Sequence, residues 1–442
     1  MNNHSTHGQL DASWRPACRV EEDVARRPAR VFVMDLLSIV PYYTGHLCAQ
    51  LKDVDSIQVA FGSIQYGHDE AFFERIGVRT DPGLLDLSRH LPEFLAPVRR
   101  LLKAGEYVLN LGLLAVRFMA RTPDILHVQF LPLVKQGIPV EIWFLSLARA
   151  LGIRIVYTVH NVLPHERHQR DKQLYQRIYH LADRFICHDV HAANRLVSEF
   201  QVAPERISLI PHGPLFQSSG KADAAEARRR LGLPHEDCIV LFQGIIRSYK
   251  GVSFLLKAWK RALEAGFQGT LLIVGKGDDD LLSGIRREVA TLAIESSVRL
   301  VFRFVSVEEL DRYYKAADIL TYPYGAVTTS GALMTGIGYG KAIIATALPA
   351  FQELLRHEEN ALLVGYGHVE GFADTLLRLG QSEQLRNRLA RQLQITNTNL
   401  PTWSEIARQT ARCYATALAE PPAWKRDRNP SAAGTLQRKD AE

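Results

Sequence analysis

The sequence predicts an α/β protein made of two Rossmann-like domains, and three observations carry that expectation. At 442 residues the chain exceeds what a single core usually supports. From Ala29 onward, short apolar runs alternate with amphipathic segments, the pattern of a parallel, doubly wound sheet. The alternation restarts after Leu231-Gly-Leu-Pro234, so a second sheet follows the first. The domains are expected over 29–212 and 213–400, followed by a helix at 401–419, with disordered tails at 1–28 and 420–442.

The stretch up to about Arg30 is polar and charged, without the apolar core of a secretory signal. Arg30–Leu37 then reads as a buried strand, followed by the turn-like Pro41-Tyr-Tyr-Thr-Gly45 and an amphipathic segment, His46–Lys52. Further strands are expected at Ser56–Phe61, Ile125–Phe130, Ile153–His160, Phe185–His188 and Ile207–Ile210. Helices at Glu141–Leu151, Asp171–Asp183 and Ala192–Phe200 lie between most of them. In the second half the strands are Cys238–Phe242, Thr270–Val274, Val298–Phe302, Asp318–Tyr322, Ala342–Ala345 and Ala361–Val364.

Composition narrows the function classes. The chain is 47% hydrophobic and 23% charged, an ordinary globular balance, and its net charge of +6 is too small to imply nucleic acid without a basic stripe or stacking aromatics. An anionic small molecule or an anionic membrane surface accounts for it as well. Five scattered cysteines with no close pair point to a reducing compartment, with neither a zinc site nor a disulfide framework. The apolar run Tyr107–Val116 falls well short of the roughly 20 residues a spanning helix needs. Around it, Phe94–Arg121 sets Val98, Leu102, Leu109, Leu113 and Val116 among Arg99, Arg100, Lys103, Arg117 and Arg121. That is either a core-facing helix with a solvated charged face or a basic amphipathic helix lying on an anionic membrane.

Three stretches carry chemistry. In Leu241-Phe-Gln-Gly-Ile-Ile-Arg-Ser-Tyr-Lys-Gly251 a buried strand breaks at Gly244, and Arg247 and Lys250 follow just beyond its carboxyl end, where open α/β sheets bind ligands. Leu271-Leu-Ile-Val-Gly-Lys-Gly277 repeats the strand-then-glycine pattern. Together they suggest a pocket for a phosphorylated ligand, against the plainer reading of turn glycines and solvated cations. In Tyr157-Thr-Val-His-Asn-Val-Leu-Pro-His-Glu166 a strand ends at His160, and Asn161, Pro164, His165 and Glu166 crowd the loop after it. For His165 a satisfied, half-buried histidine is the alternative; for His160 the strand-end position favours function.

These residues carry a family resemblance over about 29–418. The chain resembles the nucleotide-sugar-dependent glycosyltransferases of the GT-B fold, particularly the retaining family that builds bacterial polysaccharides and glycolipids. The matching features are Thr158-Val-His-Asn161, Ile210-Pro-His-Gly213, Gly244 with Arg247 and Lys250-Gly251, and Ile273-Val-Gly275. Further on come Glu308-Glu-Leu with Tyr314-Lys-Ala-Ala-Asp318, Gly340-Lys-Ala-Ile-Ile-Ala345, and Glu353 followed by Asn360-Ala-Leu-Leu-Val364.

The resemblance implies two domains facing each other across a cleft, acceptor side first and nucleotide-sugar side second, with Trp403–Leu418 crossing back to the first domain. It implies that Arg247 and Lys250 hold the donor diphosphate and that His160 contacts the donor sugar, which makes these three the expected catalytic residues. It places Gly45, Asn161, Gly213, Gly244 and Gly275 at the donor. Charged hydrogen bonds of this kind contribute about 1.5–3 kcal/mol each and strengthen as negative charge grows on the leaving diphosphate. No metal or cofactor is expected beyond the nucleotide diphosphate sugar itself. The expected partners are that donor, a glycan or lipid-linked acceptor, and an anionic membrane surface through 94–121, with no nucleic acid. A cytoplasmic protein, peripheral at the inner face of the membrane, is the implied setting.

In two respects the chain departs from the family. The usual pair of glutamates with seven residues between them falls, by spacing from Gly340, on Val327 and Thr335. The loop there is Tyr324-Gly-Ala-Val-Thr-Thr-Ser-Gly331, and Thr329, Ser330, Gly331 and Thr335 are the expected replacement donor contacts, the first three at a helix start. The amino-terminal loop carries one glycine, Gly45, where many relatives have two. A nucleotide-sugar epimerase of the same fold and a non-catalytic nucleotide-sugar-binding subunit are the alternatives.

Overall fold

The computed structural model describes residues 27–64, 69–87, 96–163, 169–216 and 223–422. The proposed amino-terminal tail up to residue 26, Pro164, His165 and Glu166, residues 94–95 and the tail from 423 lie outside the described residues, as do the side chains of 96–100.

The chain divides into two compact units, one running to Pro211 and resumed at Thr402, the other spanning His212–Pro401. In chain order the first contains β1 (Ala29–Met34), α1 (Pro41–Leu51), β2 (Ile57–Gly62), α2 (Glu70–Arg75), α3 (Ala96–Ala120) and β3 (Ile125–Val128). There follow α4 (Val140–Ala150), β4 (Arg154–Val159), α5 (Gln169–Leu181), β5 (Arg184–Cys187), α6 (Val190–Phe200) and β6 (Ile207–Leu209). All the strands are parallel, in the order β2-β1-β3-β4-β5-β6. Such strands are covered on both faces, which is why they are continuous apolar runs rather than alternating ones. Phe32, Met34, Leu126, Ile155, Tyr157 and Phe185 are all buried in one core.

The second unit contains α7 (Ala224–Leu231), β7 (Cys238–Gln243), α8 (Val252–Glu264), β8 (Gly269–Val274), α9 (Asp279–Thr291), β9 (Val298–Val301) and α10 (Val307–Ala316). It continues with β10 (Ile319–Tyr322), α11 (Gly331–Gly338), β11 (Ala342–Thr346), α12 (Pro349–Gln352), β12 (Leu362–Val364), α13 (Val369–Gln381) and α14 (Glu383–Thr398). Its parallel sheet runs β12-β11-β10-β7-β8-β9, the Rossmann order, in which the chain reverses direction across the sheet between β7 and β10. Trp259, fully buried on α8, donates its indole N–H to Ser297 Oγ at 3.0 Å, which satisfies the polar edge of a large apolar group.

The last helix, α15 (Trp403–Ala419), belongs to the first unit. Thr402 and Glu405 form a reciprocal capping box at its start. Trp403 stacks on His46 with centroids 5.0 Å apart, and at the other end Arg184 donates to Glu420 Oε1 at 2.5 Å. One expectation needs correcting here. Pro41–Gly45 is not a turn but the first turn of α1, with Pro41 at the first helical position, where its missing N–H costs nothing.

Candidate functional site

In the second unit the loops at the carboxyl ends of β7, β8 and β10 are drawn into contact by glycines. Gly244 has φ +140° and Gly275 φ +149°, and a Cβ on Gly275 would lie 1.9 Å from the Gly244 carbonyl oxygen. Gly251, at φ +70°, likewise leaves no room for a Cβ, which would lie 1.9 Å from the Pro323 oxygen. Only glycine meets both demands, the left-handed backbone and the close approach. Backbone bonds close the arrangement: Gly244 donates to Val274 at 3.0 Å, Ile246 to Lys276 at 2.8 Å, and Gly325 to Tyr249 at 2.7 Å.

This framework carries Arg247 and Lys250 on one short turn beside the switch point. Lys250 is half-buried, its Nζ 5.1 Å from the centroid of the Tyr324 ring and 2.9 Å from where a Gly244 Cβ would stand. Burial, and then the like charge of Arg247, pull its pKa below the ordinary lysine value, offset in part by Tyr249. Arg247 is exposed. Two cations held beside glycine-lined backbone at a switch point can bind a diphosphate, one fixed and one free to follow the ligand.

The loop between β10 and α11 lies beside them. Thr346 Oγ1 donates to the Tyr324 carbonyl at 2.6 Å, and Ser330 caps α11 by accepting the Leu333 N–H at 3.2 Å. Tyr314 donates to Gln243 Oε1 at 2.9 Å and Tyr322 to the Ala332 carbonyl at 3.0 Å, so the first turn of α11 is tied down to the strands. Thr329, Ser330 and Gly331 are half-buried, and a Cβ at Gly331 would meet Leu215 at 2.6 Å and His212 at 3.3 Å. Gly213 is buried, its carbonyl 2.6 Å from His212 Nδ1. Val327 is half-buried, whereas Thr335 is only 1% exposed and its hydroxyl has no hydrogen-bond partner. Thr335 therefore stands apart from the residues gathered at the loop.

In the first unit His160 follows β4, with Nε2 2.9 Å from Gln129 Oε1 and its ring meeting the edges of Tyr43 at 4.9 Å and His188 at 5.1 Å. Asn161 beside it is half-buried. Gly45 is buried inside α1, where a Cβ would strike Phe73 at 2.6 Å. Tight packing accounts for that glycine, and no glycine loop presents it to a phosphate. Sequence reasoning missed Asp35, whose buried carboxylate accepts the Ile39 and Val40 N–H groups at 2.8 and 3.0 Å and so shapes the entry to α1. Burial pushes its pKa up to about 6. The signal was an aspartate closing the apolar strand Val31-Phe-Val-Met34.

A second candidate surface is α3. Its core face carries Glu106, Tyr107, Asn110, Leu111, Leu114 and Phe118, all buried. The positions read as apolar from the sequence are not that face: Leu102, Leu109, Leu113 and Val116 are exposed, as are Leu101 and Met119. Lys103 and Arg117 lie on this helix and exposed Arg121 just beyond its end, and Arg117 pairs with Asp81 at 2.8 Å. On α4, which packs against α3, Trp143 is 64% exposed. An outward apolar stripe is what a helix in a membrane interface presents. No described helix is long and apolar enough to cross a membrane.

A family model described as Glycosyltransferase Family 4 matches residues 57–213, and one described as Glycosyl transferases group 1 matches residues 237–382. A D-inositol 3-phosphate glycosyltransferase of Nocardioides sp. is 27% identical over 260 residues, 55% of this chain and 56% of the relative. One from Acidothermus cellulolyticus is 28% identical over 251 residues, 54% of each. The chain thus spans about half the length of the curated relatives it matches. Among solved structures, Anabaena HepE in complex with UDP and glucose aligns with a TM-score of 0.68 at 15% identity, covering 88% of this chain and all of that one. Sucrose-phosphate synthase from Thermosynechococcus elongatus aligns with a TM-score of 0.68 at 19% identity, covering 89% of this chain and all of that one. At such identities the likeness shows the fold.

Proposed function

Because this chain belongs to the GT-B glycosyltransferases, we propose that it transfers a sugar from a nucleotide diphosphate donor to a growing, lipid-linked glycan in cell-surface polysaccharide or glycolipid synthesis. The observation that carries the reading is the placement of Arg247 and half-buried Lys250 on one turn beside Gly244 at the switch point of the second unit. In the reaction an acceptor hydroxyl oxygen bonds to the anomeric carbon and gives up its proton to water, while the bond from that carbon to the diphosphate oxygen breaks and its electron pair leaves on that oxygen. Negative charge thus grows where the two cations stand, and they stabilise the transition state more than the ground state. Neutralisation by two side chains needs no metal, so a chelator should leave turnover intact. His160 takes the contact to the donor sugar that the resemblance implies.

The outward apolar stripe of α3, with exposed Arg121 just beyond its end, supports action at an anionic membrane surface, the cytoplasmic face where nucleotide sugars are available. Each cation near such a surface contributes about 1 kcal/mol, and the apolar residues add a part that salt does not screen.

The test is incubation of the full chain with a panel of nucleotide sugars, with and without lipid-linked glycan acceptors, following sugar transfer and release of nucleoside diphosphate. Transfer that depends on acceptor is expected. Binding without turnover on any acceptor would favour a nucleotide-sugar-binding subunit. Conversion of the donor alone into an epimer would favour the epimerase reading.

A further inference from the structure

We propose that Gln129, one residue beyond β3, is a positioning residue that sets the orientation and tautomer of His160 through a buried relay reaching from the carboxy-terminal helix. The role in turnover rests on the reading that His160 meets the donor; the relay itself does not.

The relay lies within the first unit. Tyr414 Oη, on α15, lies 2.6 Å from His127 Nδ1, and His127 Nε2 lies 2.7 Å from Thr158 Oγ1 and 3.0 Å from Gln129 Nε2. Gln129 Oε1 then accepts from His160 Nε2 at 2.9 Å. His127, Gln129, Thr158 and Tyr414 are each at most 1% exposed, whereas His160 is half-buried. The four therefore form the interior of the chain and His160 its outer end.

Burial fixes the chemistry of the interior histidine, pushing the His127 pKa down to about 3, so that it is a neutral imidazole with one donor and one acceptor nitrogen. An amide presents opposite characters on its two sides. Gln129 turns its NH2 toward His127 Nε2, making that the acceptor nitrogen and Nδ1–H the donor to Tyr414. Its carbonyl faces His160, which puts the proton of a neutral His160 on Nε2 and leaves Nδ1 as the acceptor. A hydroxyl donor such as a sugar needs that acceptor. An apolar residue would fill the end of β3 at no desolvation cost; a buried amide persists there only if both of its sides are bonded. Gln129 also stands beside the β1–β3 pair where this sheet reverses direction, so the relay supports the strand ends at which such sheets bind ligands.

The test uses the full chain labelled with nitrogen-15. Two-bond proton–nitrogen spectra, with His160 assigned by its loss in His160→Ala, should show a single Nε2–H tautomer in the native protein. Gln129→Leu should collapse it to a mixture, and Gln129→Glu, which keeps an acceptor facing His160, should restore it. If Gln129→Leu does not fold, Gln129→Asn keeps the amide but withdraws it by one methylene, and the same loss is expected. A His160 tautomer unchanged by Gln129→Leu and by Gln129→Asn overturns the proposal. The kinetic arm uses whichever nucleotide sugar the full chain turns over: Gln129→Leu should lower kcat about tenfold or more, as loss of a supporting hydrogen bond does, with nucleoside diphosphate affinity unmoved. Gln129→Leu combined with His160→Ala should lose no more than His160→Ala alone, and additive losses would also overturn the proposal. Turnover unaffected by His160→Ala would instead sink the reading of His160, and the tautomer result would then stand by itself.

Discussion

Gly275→Ala is the substitution that loads the phosphate-site framework most directly. The new Cβ would stand 1.9 Å from the Gly244 oxygen, at a φ of +149° that only glycine adopts readily. The backbone conformation costs about 1–3 kcal/mol for a residue with a side chain. Relief of the contact needs the loop after β7 to retreat by about 1 Å, and a misplacement of that size costs roughly a hundredfold in rate. Because Lys250 Nζ lies beside Gly244, the retreat displaces the cation together with the backbone. The expected result is a melting temperature lower by about 5–10 °C, from about 2–3 kcal/mol in a domain of this size, and nucleoside diphosphate binding weakened in the protein that remains folded. Gly232→Ala is the control. Gly232 has φ +60° with nothing within 4 Å of its would-be Cβ, so it shares the strain without the clash. Calorimetric titration of both variants with nucleoside diphosphates checks the reasoning, and a Gly275→Ala protein that binds them as tightly as Gly232→Ala would refute it.

Four further outcomes follow from the same geometry. Lys250→Met should cut kcat/KM by about 10- to 150-fold for the loss of one charged contact, yet not lower the melting temperature, because burial already disfavours the charge; a destabilised protein would mean that Lys250 is structural. Leu109→Gln with Val116→Gln should weaken sedimentation with anionic vesicles and leave thermal stability intact, whereas Leu111→Gln, on the buried face, should do the reverse. Glu141, buried and accepting from Tyr107 and from the Leu133 and Val134 N–H groups, has its pKa pushed up by burial to about 7. Its contribution to stability is therefore full below its ordinary value and lost as pH rises through 7, on the order of 3 kcal/mol; denaturant titrations at pH 5 and 8 should show that loss in the native chain and a smaller one in Glu141→Gln. Thr335→Val removes a buried hydroxyl without a partner, and should raise the melting temperature by roughly 2–4 °C, the equivalent of about 1 kcal/mol.

Strands were the legible part of this chain. The twelve strands of the two sheets coincide with the expected runs, because a strand covered on both faces is apolar at most positions and so announces itself without periodicity, with polar residues such as Gln58 and Arg299 on the edge strands β2 and β9. Pro41 was misread because proline marks turns and first helical positions alike, and only the packing of Gly45 on Phe73 separates the two. The outward face of α3 was illegible for a related reason: its core face includes Glu106 and Asn110, so polarity does not mark which side is solvated. The placement of Arg247 and Lys250 just beyond β7 was readable because glycine and cation follow a strand end in sequence. The relay of Gln129, His127 and Tyr414 joins residues 287 positions apart and needed the fold. One hint was present in Ile125-Leu-His-Val128, since a histidine inside a buried strand must have partners.

The central claim, that the glycine-lined strand ends of the second unit hold the diphosphate of a donor, is tested most directly by calorimetry of the full chain with UDP, GDP and ADP against their monophosphates and nucleosides. With two cations contributing about 1.5–3 kcal/mol each, at least one diphosphate should bind a hundredfold or more tighter than its nucleoside, and the advantage should shrink in Arg247→Ala. Diphosphates that bind no better than their nucleosides would contradict it.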